Sequence, residues 1–197
     1  MKKAMAFCAV LAILAGCAFG PAGVPITVKN SSFETPAIGG QGAETTDWVA
    51  GGTWYGRHYS PDWAPHGEWF VWSSFKRGGA DNGYSQELDA VYEAGTYLLT
   101  VWIYVDAEGL VSRIMLGYDS GGDNYVVLAN SEMGGLGPDK AWKRQTVSVD
   151  MTSGSPAVGK PIWIRLTGIA EPTSGDGGDS NSWDNVSLLY YEPAGTL

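Results

Sequence analysis

Between Tyr97 and Val105 every second side chain is aliphatic or aromatic. Tyr97, Leu99, Val101, Ile103 and Val105 share one face, and Leu98, Thr100, Trp102 and Tyr104 share the other. A period of two residues is the signature of a β-strand, and a strand apolar on both faces belongs in the middle of a sheet covered from both sides. The alternation recurs over Pro161–Gly168, where Ile162, Ile164 and Leu166 point one way and Trp163, Arg165 and Thr167 the other. Similar short runs cover 25–29, 53–58, 68–73, 83–88, 111–118, 124–130, 142–149 and 183–191, divided by turns such as DSGGDN at 119–124. No stretch follows a helical period. The pattern predicts one all-β domain over 25–192, an antiparallel β-sandwich of jelly-roll type, with a linker at 18–24 and a tail at 193–197. Two polar segments, 34–52 and 169–182, read as long loops.

Residues 1–17 carry Lys2 and Lys3 ahead of an apolar run ending in Leu14-Ala15-Gly16-Cys17. The run is shorter than the ~20 residues a bilayer span requires and has the build of an export signal. Its last four residues resemble a lipobox, which makes Cys17 the expected acylation site. The expected location is the cell envelope, with the outer membrane favoured because Ala18 rather than Asp follows the cysteine. Cys8 leaves with the signal, so no disulfide staples the domain. With 21 acidic against 12 basic residues the chain repels phosphate backbones, which excludes nucleic acid as a partner class.

Several segments, in order, resemble the galactose-binding-like sandwiches found among carbohydrate-binding modules. They are Asn30-Ser31-Ser32-Phe33-Glu34, Pro65-His66-Gly67-Glu68, Gly83-Tyr84-Ser85-Gln86-Glu87-Leu88 with Ala94-Gly95-Thr96-Tyr97, and Trp183-Asp184-Asn185-Val186-Ser187-Leu188. The resemblance implies a structural calcium ion between first and last strands, with Glu34 and Asp184 as carboxylate ligands and His66 where relatives often carry Asp. Hard cations of this kind collect six to eight oxygens. Asp176, Asp179 and Asn181 form a second oxygen cluster whose spacing does not match an EF-hand loop.

Nine aromatic residues stand between Trp48 and Phe75. A sandwich buries part of such a set, and exposed rings suit stacking on sugar faces. The expected function is therefore non-catalytic glycan recognition, with Trp54, Tyr59, Trp63, Trp102 and Arg165 as the binding residues. A structural or adhesion module of the envelope is one alternative. A small polysaccharide lyase using Arg57, His58, Tyr59, Lys76 and Arg77 is the other. Catalysis is the weaker expectation, because no H-E-x-x-H, G-x-S-x-G or phosphate loop is present and no cysteine nucleophile follows the signal.

Overall fold

A computed structural model describes residues 22–52, 54–74, 82–106, 109–121, 124–134, 141–170 and 180–193. The signal with Cys17, and Lys76, Arg77, Asp176 and Asp179, lie outside the described residues. Two antiparallel sheets stack face to face. The front sheet runs β10 (Lys143–Met151), β7 (Gly95–Val105), β12 (Ser180–Tyr191), β5 (Trp69–Ser74), β4 (Tyr55–Tyr59) and β2 (Gly40–Gln41), with β1 (Val24–Ile26) also on β12. The back sheet runs β3 (Val49–Gly51), β6 (Gly83–Val91), β11 (Pro161–Ala170), β8 (Val111–Asp119) and β9 (Tyr125–Gly134).

Alternation decides what fills the space between them. Leu99, Val101 and Ile103 of β7 and Ile162, Ile164 and Leu166 of β11 are fully buried. Trp183 of β12 joins them, and its Nε1 donates across the sandwich to Ser112 Oγ at 2.9 Å. A buried indole N–H thus finds its partner on the opposite sheet.

Every strand read from the sequence is present, and the segments read as loops are partly strands. Residues 34–52 contain β2 and β3. Residues 169–170 extend β11, and 180–182 open β12. Ser180, Asn181 and Ser182 pair with Ser74, Ser73 and Trp72 of β5, so neighbouring strands satisfy a backbone whose side chains alone suggest a loop.

The first and last strands of the described residues lie side by side, as the family resemblance implies. Val186 N–H donates to Ser31 O at 2.8 Å, and Phe33, fully buried, packs its ring 5.1 Å from that of Trp48. β12 is bulged between Asp184 and Ser187 at this junction.

Candidate functional site

β4, β5, β7 and β12 present a second set of side chains on the outer face of the front sheet. His58, Phe70, Trp72, Tyr104, Ser180 and Ser182 stand here because each is one residue out of phase with the core set. The connection from β4 to β5 folds back over this face and brings Trp63. Together with Asp106, just past β7, these residues line a cavity of about 320 Å³. Trp63 meets Tyr104 edge-on at 4.4 Å and Phe70 at 5.0 Å, and Trp142, just ahead of β10, closes the cluster at 5.1 Å from Trp63. Rings from three separated segments thus build one wall, and edge-to-face contacts of this kind each add ~0.5–1.5 kcal/mol beyond burial. Trp142 Nε1 is buried beside the cavity without a hydrogen-bond partner among the described residues.

One carboxylate belongs to this cavity. Asp106 Oδ1 accepts from Ser180 N–H at 3.0 Å and Oδ2 from Ser180 Oγ at 2.8 Å, which fixes its orientation. Burial, with the Asp106 charge as a lesser contribution, pushes the Tyr104 phenol above its ordinary pKa, so its hydroxyl stays a hydrogen-bond donor. Trp72 lies flat because Gly56 leaves room. A Cβ at Gly56 would stand 2.8 Å from the indole and 2.2 Å from Gly40 O.

Glu34 and Asp184 grip the loop that carries Trp63. Glu34 Oε1 accepts from Glu68 N–H at 3.1 Å and Trp69 N–H at 3.2 Å. Asp184 accepts from His66 N–H at 2.9 Å and Asn185 N–H at 2.6 Å. His66 thus contributes its main-chain N–H to the carboxylate. Gly67 has φ +69°, and a Cβ there would fall 2.2 Å from Glu34 Oε1, so the close approach requires glycine. Asp184 is fully buried, and burial pushes its carboxyl up to about 8; the two N–H bonds oppose this and the Glu34 charge adds to it. The two acids that the resemblance implies as calcium ligands thus each accept main-chain N–H groups here. Among the described residues no third acidic, histidine or cysteine side chain joins them.

The five residues expected to bind a ligand do not form one platform. Trp63 lines the cavity. Trp102 is on β7 two residues from Tyr104, half-buried and outside the lining, while Trp54 is half-buried ahead of β4. Tyr59, exposed at the end of β4, packs against Trp69 at 5.1 Å. Arg165 is on the back sheet, because β11 belongs to it. Arg57, read as part of a lyase set, is buried; its guanidinium donates to Phe33 O and, at 2.9 Å, to Ile38 O, and lies 4.7 Å over the Trp69 ring. It braces the loop after Glu34. Phe70, Trp72, Tyr104, Asp106 and Trp142 are not among the expected binding residues, although Phe70 and Trp72 belong to the aromatic-rich stretch from Trp48 to Phe75 and Tyr104 shares a strand face with Trp102.

The HpiC1-like family model, described as HpiC1 cyclase, matches residues 24–189, and the chain belongs to that family. A crystal structure of a cyclase from Fischerella sp. TAU is 26% identical, covers 89% of this chain and 100% of its own, and superposes with a TM-score of 0.70. A structure of a cyclase from the same organism in complex with 4-(1H-indol-3-yl)butan-2-one is also 26% identical, covering 88% and 100% of the two chains with a TM-score of 0.69. The carbohydrate-binding module TmCBM61, solved with β-1,4-galactotriose, shares the fold at 20% identity, with 83% and 97% covered and a TM-score of 0.53. A search among functionally curated proteins gave no match.

The family and the cyclase structures overturn the expectation of a non-catalytic glycan binder, and with it the envelope-module and lyase alternatives and the preference for a chain without catalysis. The resemblance to carbohydrate-binding modules was a resemblance of fold. The aromatic surplus read as a sugar platform contributes instead, in part, to a cavity that also holds a carboxylate.

Proposed function

We propose that the chain is a cyclase that closes a ring in a small molecule bearing an aromatic group, inside the cavity on the front sheet. The observation that carries this is the company Asp106 keeps: a carboxylate set among Trp63, Phe70, Trp72 and Tyr104. A cavity of about 320 Å³ is at the small end of the range for organic ligands. The indole ketone bound by the Fischerella cyclase has matching chemistry, an apolar aromatic body with one carbonyl acceptor.

Ring closure within one molecule is an isomerisation. A proton added at one atom makes an electron-poor carbon, a new bond forms to it, and a proton leaves another atom, so mass and electron count are unchanged. His58, at the cavity wall, donates the proton. The ring faces stabilise the positive charge that develops, by roughly 0.5–2 kcal/mol for each well-placed face. Asp106, already an acceptor held by Ser180, faces that charge and takes the departing proton. The Tyr104 hydroxyl orients a polar group of the substrate.

Glu34 and Asp184, with main-chain carbonyls, would hold calcium as a structural ion away from the chemistry, clamping the first and last segments and the β4–β5 loop. We propose in addition that the mature protein is exported and anchored through Cys17; incorporation of labelled palmitate that is lost in Cys17→Ala tests this, and absence of label in the wild type contradicts it.

Binding is tested by titrating 4-(1H-indol-3-yl)butan-2-one while following tryptophan fluorescence. A saturable change that Trp63→Leu weakens about tenfold or more is expected. No saturable change, or one indifferent to Trp63, contradicts the assignment of the cavity.

A further inference from the structure

The outer face of the back sheet carries a second cleft, about 160 Å³ in volume, that the cyclase reading does not use. β11 turns Trp163 and Arg165 outward, β9 contributes Tyr125, β6 contributes Ser85, and β8 ends the cleft with Asp119. The cleft exists because Gly117, opposite Trp163, has no side chain: a Cβ there would meet the Tyr125 ring at 2.7 Å. Tyr125 therefore lies against the β8 backbone, its hydroxyl making only a 3.4 Å contact to Trp163 O. Arg165 stands 5.9 Å over the Tyr125 ring, at the junction with a neighbouring cavity of about 330 Å³.

Three features define what fits. Trp163 Nε1 is buried and has no acceptor among the described residues, a polar group that a ligand oxygen would satisfy. Arg165 lines the cleft with a planar guanidinium whose paired N–H groups match the two oxygens of a carboxylate, so an anionic group suits this end. Tyr125 and Trp163, with centroids 6.1 Å apart, offer flat apolar faces. Asp119 stands four residues along β8 from the position paired with Arg165, about 13 Å away along the strand. Its Oδ1 accepts from Gly121 N–H at 2.8 Å, so it faces the far end of a ligand rather than its anionic end.

We infer that this cleft is a second small-molecule site, selective for a small aromatic carboxylate whose carboxylate meets Arg165 and whose ring lies on Tyr125 and Trp163. It is independent of the front-sheet chemistry.

The test uses the full chain, uniformly labelled with nitrogen-15, titrated with benzoate and separately with benzamide, its neutral analogue. The Trp163 indole N–H signal, identified by its loss in Trp163→Phe, should shift saturably with benzoate, while Trp63 and Trp142 stay in place. Benzamide should bind at least about tenfold more weakly. Arg165→Gln, an exposed-face change whose folding is checked by the rest of the spectrum, should weaken benzoate by about tenfold. Ser85→Ala is a second variant, expected to weaken it severalfold. Benzoate shifts confined to Trp63 and Trp142, equal binding of benzamide, unchanged affinity in Arg165→Gln, or no shift at all would each overturn the inference. None of these results bears on binding of the indole ketone, so the two sites stand or fall separately.

Discussion

In the proposed reaction the departing proton goes to Asp106. Ser180 donates to both of its oxygens, through a main-chain and a side-chain donor. Replacing it with Asn keeps the shape and removes the charge, so Asp106→Asn should lower kcat by about 10²-fold or more while thermal unfolding stays within a few degrees of wild type. An equal loss of fold and activity would make the residue structural instead. Phe70 has a different expected outcome. It is 3% exposed, so Phe70→Ala should cost about 3–5 kcal/mol in urea unfolding as well as substrate binding. A destabilisation below about 1 kcal/mol would show that the ring wall is not packed as described. Alternation along single strands gave Trp102 and Tyr104 an outward phase, and this much was legible. Asp106 was not, because nothing local separates a carboxylate at a strand end from a solvated turn.

The β4–β5 hairpin is the element that makes the cavity. One strand carries His58, the other Phe70 and Trp72, and the connection between them carries Trp63. Gly56 is the position where this element is least forgiving, since a methyl group would meet both the Trp72 ring and Gly40 O. Gly56→Ala should therefore raise KM severalfold with a smaller change in kcat; unchanged KM would show that Trp72 does not shape the site. The connection is in turn held by Glu34 and Asp184. If calcium occupies that pair, adding it to chelator-treated protein should raise Tm by several degrees, and Glu34→Gln and Asp184→Asn should each abolish the increment. A Tm indifferent to calcium in the wild type removes the ion from the account. The strands of this element were readable from residue alternation, whereas the fold-back of residues 60–68 was not, since what holds it are carboxylates distant in sequence, at 34 and 184. The phrase Trp183-Asp184-Asn185-Val186 did signal that the last strand closes against the first.

At the scale of the molecule, two sheets give two outer faces, each with its own cavity. The front face carries the cavity with Asp106, and the back face carries the smaller cleft with Arg165. The sandwich itself was legible, because ten alternating runs separated by turns leave few ways to bury their apolar sides. The partition of aromatics between the faces was not, since strand phase says which side of a strand a ring takes but not which sheet the strand joins. Function was hidden for a related reason. A carbohydrate-binding module at 20% identity and a cyclase at 26% superpose on the same sandwich, so the fold did not separate binding from catalysis.

That difference can be measured directly by incubating the full chain with an indole carrying an unsaturated side chain and separating the products by chromatography with mass detection. The account predicts a new compound of unchanged mass, formed by the wild type and reduced about 10²-fold or more in Asp106→Asn. Finding no isomeric product from any such indole, or the same yield from the Asn variant, would contradict it.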